Sequence, residues 1–303
     1  SIGITGSYGK TSTKEFLSTI LSWKFKTART TGSENTEFGI ARKIQSFIHE
    51  DTEVFVAEMG AYKKGEIRRL CEIVSPRIGI ITGISPQHLE LFGSLKNLRE
   101  AKYELIESLG VNGLAIFNGE NPYCLKMARQ TKKIKKIICQ IGRPKKEKAN
   151  ILWADKIVVK KEKVSFSVHW QGEQSRFEIL LLGRQFTENI LLATAAALSL
   201  GMKLSEIRQA VSNISSIART MEPQKAKSGA FLIDDTYNSN PAGFRAALDY
   251  LKEIKLRRCF IVTPGIIELG EESKKIHYKL GRMMDRLGAK VYLTSCDFHE
   301  AFS

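Results

Sequence analysis

Thr5-Gly6-Ser7-Tyr8-Gly9-Lys10-Thr11 lies between a short apolar run, Ile2–Thr5, and a segment of helical period that begins at Lys10. Residues of these types in this order fit a phosphate cradle. Gly6 and Gly9 let the backbone amides around Ser7 turn toward phosphate oxygens. Lys10 adds a point charge at the outer phosphates, and Thr11, followed by Ser12 in the first helical turn, offers a hydroxyl to Mg2+. The position where the usual phosphate loop has its first glycine is Ile4, so a chance G-x-x-G-K-T in an ordinary loop is the competing reading. Glu58 closes the apolar run Val54–Ala57, where a strand would deliver a carboxylate to the same edge as a partner for Mg2+. A plain strand-end surface residue is the alternative. His88 follows the run Ile78–Thr82 through a short loop with Gly83 and Pro86, and Lys102 follows on the next helical segment. By pattern alone His88 reads as a structural histidine and Lys102 as an ordinary helix-surface lysine.

The elements that must position these residues alternate along the chain. Strand-length apolar runs at Ile2–Thr5, Val54–Met59, Ile78–Thr82 and Leu114–Asn118 are each followed by a segment of helical period, from Lys10, from Gly65, through Lys102 and from Pro122. That repetition predicts an α/β fold, a mostly parallel sheet with helices on both faces and binding residues at the carboxyl ends of its strands. Between Ile151 and Leu182 the texture changes to short alternating runs broken at Gln171-Gly172-Glu173, which predicts a small antiparallel insert. A buried Ala- and Leu-rich helix over Thr187–Leu200, ended by Gly201, and a second helix from Ser205 follow. After Arg219 a new series begins: a strand at Phe231–Ile233, a helix from Pro241, a strand at Cys259–Val262, a helix from Ser273 and a strand at Val291–Leu293. The boundary is set at residues 1–218 for the phosphate-loop domain and 219–303 for a partial Rossmann-like α/β domain.

With 303 residues and 43% hydrophobic composition, the chain is expected to fold around real cores. It has neither the roughly 18 consecutive apolar residues of a membrane helix nor a signal-peptide pattern, and a cytoplasmic monomer is expected. Ser1 stands almost inside the first strand, and the alternating series stops soon after Leu293, so further segments are expected at both ends. Cys71, Cys124, Cys139, Cys259 and Cys296 are scattered without metal-ligand spacing, which argues against zinc and for free thiols in a reducing compartment. The formal charge of +15 favours polyanionic ligands. Much of it lies in Lys132, Lys133, Lys135, Lys136, Lys145, Lys146, Lys148, Lys160, Lys161 and Lys163. With few aromatics between them these lysines read as a solvated face, and a nucleic-acid partner is not expected.

Ordered blocks along nearly the whole chain resemble the Mur ligases. They are T-G-S-Y-G-K-T-S-T-K-E from Thr5, E-M-G-A with G-E-I from Glu58 to Ile67, I-T-G-I-S-P-Q-H-L-E-L-F-G-S from Ile81 and A-K-Y-E-L from Ala101. The series continues with G-R-Q-F-T-E-N-I from Gly183, Arg219 with Glu222, I-D-D-T-Y-N-S-N-P from Ile233 and E-L-G-E-E-S-K-K-I-H from Glu268. The resemblance implies an ATP-dependent, Mg2+-dependent ligase that activates a carboxylate as an acyl phosphate and joins it to an amine, with a UDP-muramoyl tripeptide and D-alanyl-D-alanine as the expected pair. It implies that Gly6, Ser7, Gly9, Lys10, Thr11 and Ser12 hold the ATP phosphates, that Glu58 and His88 bind Mg2+, and that Lys102 matches a lysine several members carry as a carbamate able to ligate a second Mg2+. Asn189 matches an adenine reader, Arg219 a hinge-side arginine that reaches the terminal phosphate, Asp235 and Asn238 nucleotide contacts, and Asn35 and His277 substrate contacts. Taken without the resemblance, Asn189 is a polar residue near a helix start, Arg219 a linker charge, Asp235 a helix cap and His277 a locally packed histidine. Departures are Gln185 where the family usually has His, a loop at Gly32–Ala41 without the family's second Asn and its Pro, and Thr263-Pro264-Gly265-Ile266-Ile267 in place of G-D-M. They leave open a Mur-like ligase for another carboxylate, such as a polyglutamate-forming type. A non-catalytic ATP-binding module and a basic nucleic-acid-binding NTPase stay open beside it.

Overall fold

The computed structural model describes the chain except Ser33, Pro86, Gln87, His88, Asn238, Arg257 and residues 296–303, and of Phe47, Leu89 and Glu90 it describes the backbone alone. The phosphate-loop half is built on β1 (Ile2–Thr5), α1 (Lys10–Leu21), β2 (Thr27–Arg29), α2 (Glu37–Phe47), β3 (Val54–Glu58), α3 (Glu66–Val74), β4 (Ile78–Ile81), the single turn α4 (Leu89–Phe92) and α5 (Leu95–Glu107). It continues through β5 (Leu114–Asn118), α6 (Pro122–Gln130), β6 (Lys135–Ile141), β7 (Ile151–Val159), β8 (Val164–Trp170), β9 (Glu173–Ile179), α7 (Gln185–Ser199) and α8 (Leu204–Val211). All nine of its strands form one sheet in the order β2-β3-β1-β4-β5-β6-β7-β8-β9, parallel through β7 and antiparallel across β8 and β9. The antiparallel stretch expected over 151–182 is thus hydrogen-bonded onto the end of the parallel sheet.

Alternation along the central strands divides the core in two, because successive side chains leave a strand on opposite faces. Ile2, Ile4, Val56, Ile80 and Ile116 pack on one face beneath α1, α7 and α8, while Phe55, Ala57, Ala115 and Phe117 pack on the other beneath α3, α5 and α6. Helix α7 is nearly all buried, with Ala193, Ala195, Ala196 and Ala197 fully enclosed, and small side chains let it lie close against α1. Gly201, at φ 81, ends it in the left-handed conformation that suits glycine.

Three elements of this half escaped the sequence reading. Strand β2 has only three residues, α2 follows an Asn- and Thr-containing run that reads as loop, and β6 opens with Lys135 and Lys136. Lys136 also corrects the picture of a wholly solvated lysine face: its Nζ donates to the carbonyls of Ala128 and Thr131, each at 2.6 Å, and closes the end of α6. The remainder of the chain contains β10 (Glu222–Lys225), β11 (Phe231–Asp234), α9 (Pro241–Ile254), β12 (Phe260–Thr263), α10 (Ser273–Arg286) and β13 (Lys290–Leu293). β12 and β13 pair parallel, as the alternating series predicts. β11, expected to begin that series, pairs antiparallel with β10 instead. A third small core joins Leu248, Ile266, Leu269, Leu280 and Met284. Tyr250 of α9 is buried in the main core, and its hydroxyl donates to the Lys161 carbonyl at 2.5 Å.

Candidate active site

The loop between β1 and α1 is held over the carboxyl ends of β1 and β4. Ser7 N–H donates to Gly83 O at 2.7 Å, Thr82 N–H donates to Thr5 O at 3.0 Å, and the Thr82 hydroxyl donates to Tyr8 O. Both glycines are required by space. A Cβ on Gly6 would stand 2.1 Å from Thr82 Oγ1, and one on Gly9, which caps α1 at φ 75, would stand 2.7 Å from Asn189 Oδ1. Asn189, in the second turn of α7, therefore lies directly against the phosphate loop. Tyr8 covers Gly83 and accepts a hydrogen bond from Asn121 Nδ2 at 3.1 Å. Burial pushes its phenol up to about 12.

Lys10 and Thr11 begin α1, so the helix delivers their side chains to the strand ends together with its own partly positive N-terminus. Lys10 Nζ donates to Gly6 O at 3.0 Å. Its burial holds the amine below the ordinary lysine range, against the opposing attraction of Glu58. Thr11 Oγ1 donates to Glu58 Oε1 at 3.2 Å. Glu58 ends β3 and is only 4% exposed, and its N–H donates to Thr30 Oγ1 at 3.0 Å. The structure thus brings Lys10, Thr11 and Glu58 together. His88 and Asn238 lie outside the described residues.

The sequence reading missed Lys14. One helical turn after Lys10, its side chain is fully enclosed, with Nζ 3.4 Å from Glu58 Oε2 and 3.2 Å from Glu15 Oε1. Glu15 in turn pairs with Arg29 Nε at 2.9 Å. Lys102, on α5, is 4% exposed and donates to Ala61 O at 3.3 Å, with its ammonium 5.7 Å from the Phe92 ring centre. Burial, reinforced by the charge of Lys10, lowers its amine to about 7 against the opposing pull of Glu66 and Glu104. The surface reading that the residues alone suggested for Lys102 is therefore wrong. Glu104, on the same helix, fixes α5 against α3 by accepting from Gly65 N–H at 2.7 Å and Arg68 N–H at 3.1 Å.

Among the remaining expected residues, Ser12 is buried in the first turn of α1. Asn35 approaches the loop after β3, where its carbonyl accepts from Gly60 N–H at 3.1 Å. Gln185 stands one turn before Asn189 on α7, and its Oε1 is buried without a hydrogen-bond partner. Arg219 is exposed, adopts φ 57 and has its guanidinium 5.9 Å from the Tyr237 ring centre. Asp235 accepts from Met221 N–H at 3.0 Å, and burial raises its carboxyl above the ordinary range.

His277 is not at a surface where a substrate could reach it. It is fully buried, Nε2 accepts from Ile266 N–H at 3.0 Å, and Nδ1 donates to Ser273 O at 2.9 Å. Those bonds fix the neutral tautomer, and burial lowers the imidazole below its usual range. The residue ties α10 to the loop after β12. Replacing it in His277→Ala is expected to lower the stability of that unit by about 2–3 kcal/mol, from a small cavity and an unpaired buried N–H. Nucleotide affinity should stay unchanged; thermal unfolding beside a nucleotide titration checks both.

The Mur ligase middle domain matches residues 4–197. UDP-N-acetylmuramoyl-tripeptide--D-alanyl-D-alanine ligase of Mycobacterium tuberculosis is 29% identical over 94% of this chain, which spans 56% of that protein. The ligase of the same name from Escherichia coli K12 is 30% identical over 95% of this chain and 62% of its own length. A crystal structure of MurF from Acinetobacter baumannii superposes with a TM-score of 0.85 at 26% identity, covering 97% of this chain and 67% of that one. The chain therefore spans less than two thirds of these curated relatives.

Proposed function

The chain belongs to the Mur ligase family through that family's middle domain, and on this premise we propose that it is the ATP-using core of an amide ligase that adds D-alanyl-D-alanine to a UDP-muramoyl tripeptide. The observation that carries the proposal is the convergence of Lys10, Thr11 and Glu58 at the carboxyl ends of β1 and β3, with Lys102 buried on α5. The names of the curated relatives support the choice of acid and amine.

The donor set suits Mg2+: a threonine hydroxyl and a carboxylate are hard oxygen ligands, and Thr11 Oγ1 and Glu58 Oε1 meet at 3.2 Å beside the phosphate loop. Thr11 and Glu58 would hold the ion, with His88 and a carbamylated Lys102 as further ligands. Bound there, Mg2+ would neutralise charge that develops on the phosphoryl oxygens. In the proposed reaction a substrate carboxylate oxygen attacks the γ-phosphorus of ATP, the bond to the β-phosphate oxygen breaks, and ADP leaves from an acyl phosphate. The amine then attacks the acyl carbon, the carbon–oxygen bond to phosphate breaks, and the nitrogen loses its proton. Lys10 and the amides of Gly6–Ser12 take up charge on the phosphates. Asn189 reads the base, Asn35 faces the acid substrate, and Arg219, with Asp235 and Asn238, completes the site from the second domain.

We divide the chain at 218/219, since an acyl phosphate must be kept from water and a unit that closes over the nucleotide would do this. Among the described residues no helix is long and apolar enough to cross a membrane. A cytoplasmic monomer acting on small molecules fits the reading. Phosphate release from ATP is the test, measured on the full-length protein. Release that requires both UDP-muramoyl tripeptide and D-alanyl-D-alanine is expected. Release that requires a different acid instead would point to a Mur-like ligase of another specificity, and absence of release with any acid would sink the enzymatic reading.

A further inference from the structure

Lys14 is a buried cation beside Glu58, and nothing in the reaction proposed above uses it. It follows Lys10 by one turn of α1, so the helix points both ammonium groups toward the end of β3. Its side chain has no solvent exposure, and Nζ sits 3.4 Å from Glu58 Oε2, while the other oxygen of the same carboxylate receives the Thr11 hydroxyl at 3.2 Å. One oxygen of Glu58 thus faces the phosphate loop, and the other faces a fixed positive charge. On its far side Lys14 is 3.2 Å from Glu15 Oε1, and Glu15 shares its own charge with Arg29 at 2.9 Å.

Two lysines and one carboxylate at the loop make a poor site for a bare divalent cation, because Lys14 already neutralises the main anionic ligand at close range. The same charges suit a triphosphate, which brings the negative charge that the site lacks. Resting on the reading of Glu58 and Thr11 as Mg2+ ligands, we propose that Lys14 is a positioning residue that holds Glu58 and keeps divalent metal out of the nucleotide-free site, so that the ion enters with the nucleotide. Glu15 tunes this effect by drawing part of the Lys14 charge away from Glu58.

The test is a Mn2+ titration followed by electron paramagnetic resonance on the full-length protein, with and without ADP. Lys14→Gln keeps a polar side chain at this position but carries no charge, and it is expected to tighten Mn2+ binding to the nucleotide-free protein by roughly tenfold or more. Glu15→Gln leaves the Lys14 charge wholly to Glu58 and is expected to weaken that binding severalfold. A purely structural lysine would give unchanged or weaker binding in Lys14→Gln, and either result overturns the inference. Should Lys14→Gln fail to fold, Glu15→Gln decides: unchanged or tighter binding refutes the proposal. Wild-type protein with ADP separates the two readings, since absence of Mn2+ binding there removes the metal site itself.

Discussion

Lys10→Met is expected to lower ATP turnover by about a thousandfold or more, while the protein stays folded and its thermal midpoint moves little. The size follows from what Lys10 would do: a cation aimed at the outer phosphates in a half-buried site acts where charge moves during phosphoryl transfer, and losing one such group typically costs two to three orders of magnitude or more. Stability is spared because, among the described residues, the amine makes a single hydrogen bond, to Gly6 O at 3.0 Å, and its burial already disfavours the charged form. Single-turnover measurement of phosphate release gives the chemical step. Equilibrium binding of ADP gives the affinity, expected to fall far less, because the backbone amides and the N-terminus of α1 still face the phosphates. A loss confined to affinity, with the chemical step intact, would mean that Lys10 binds nucleotide without assisting transfer.

The phosphate loop was legible because its chemistry is local: the glycines, lysine and threonine must be neighbours in sequence to cradle one phosphate chain. The strand that brings Glu58 was legible from Val54–Ala57, an apolar run of the kind a sheet buries on both faces. Lys14 was not, because S-T-K-E in the first turns of a helix reads as polar surface. Only the tertiary fact that β3 ends beneath α1, with Glu58 there to meet the ammonium, makes a buried lysine tolerable. For His277 the locally packed reading fits the structure, and the substrate contact implied by the resemblance does not. A helical histidine can face a site or a neighbouring loop, and the N–H of Ile266 that claims it lies outside its own helix. Strand β6 was hidden by its lysines, one of which closes a helix end instead of facing water.

Wild-type protein is expected to gain stability relative to Lys102→Met as pH rises from about 7 toward the ordinary lysine range, with no such gain below about 7. Burial lowers the folded-state amine to about 7 from an ordinary 10.5. Between those values the unfolded chain carries a proton on Lys102 that the folded chain has shed, so unfolding takes up a proton and stability increases with pH. Below about 7 both states are protonated, the ammonium is buried, and the slope from this residue vanishes. Chemical denaturation of both proteins across roughly pH 6–10 measures the difference directly. The same lowered amine bears on activity. A carbamate forms when the free amine nitrogen attacks CO2 and releases a proton, so a lysine that is substantially neutral near pH 7 is ready for it where an ordinary one is not. Lys102 of the intact protein is therefore expected to carry CO2 in bicarbonate buffer, as a mass gain on the native protein that is lost on acidification. Lys102→Met should lack the adduct and lose turnover by about a hundredfold or more, as for removal of a group that holds charge at the transferring phosphoryl. Stability that tracks pH without any adduct would leave Lys102 a buried structural amine.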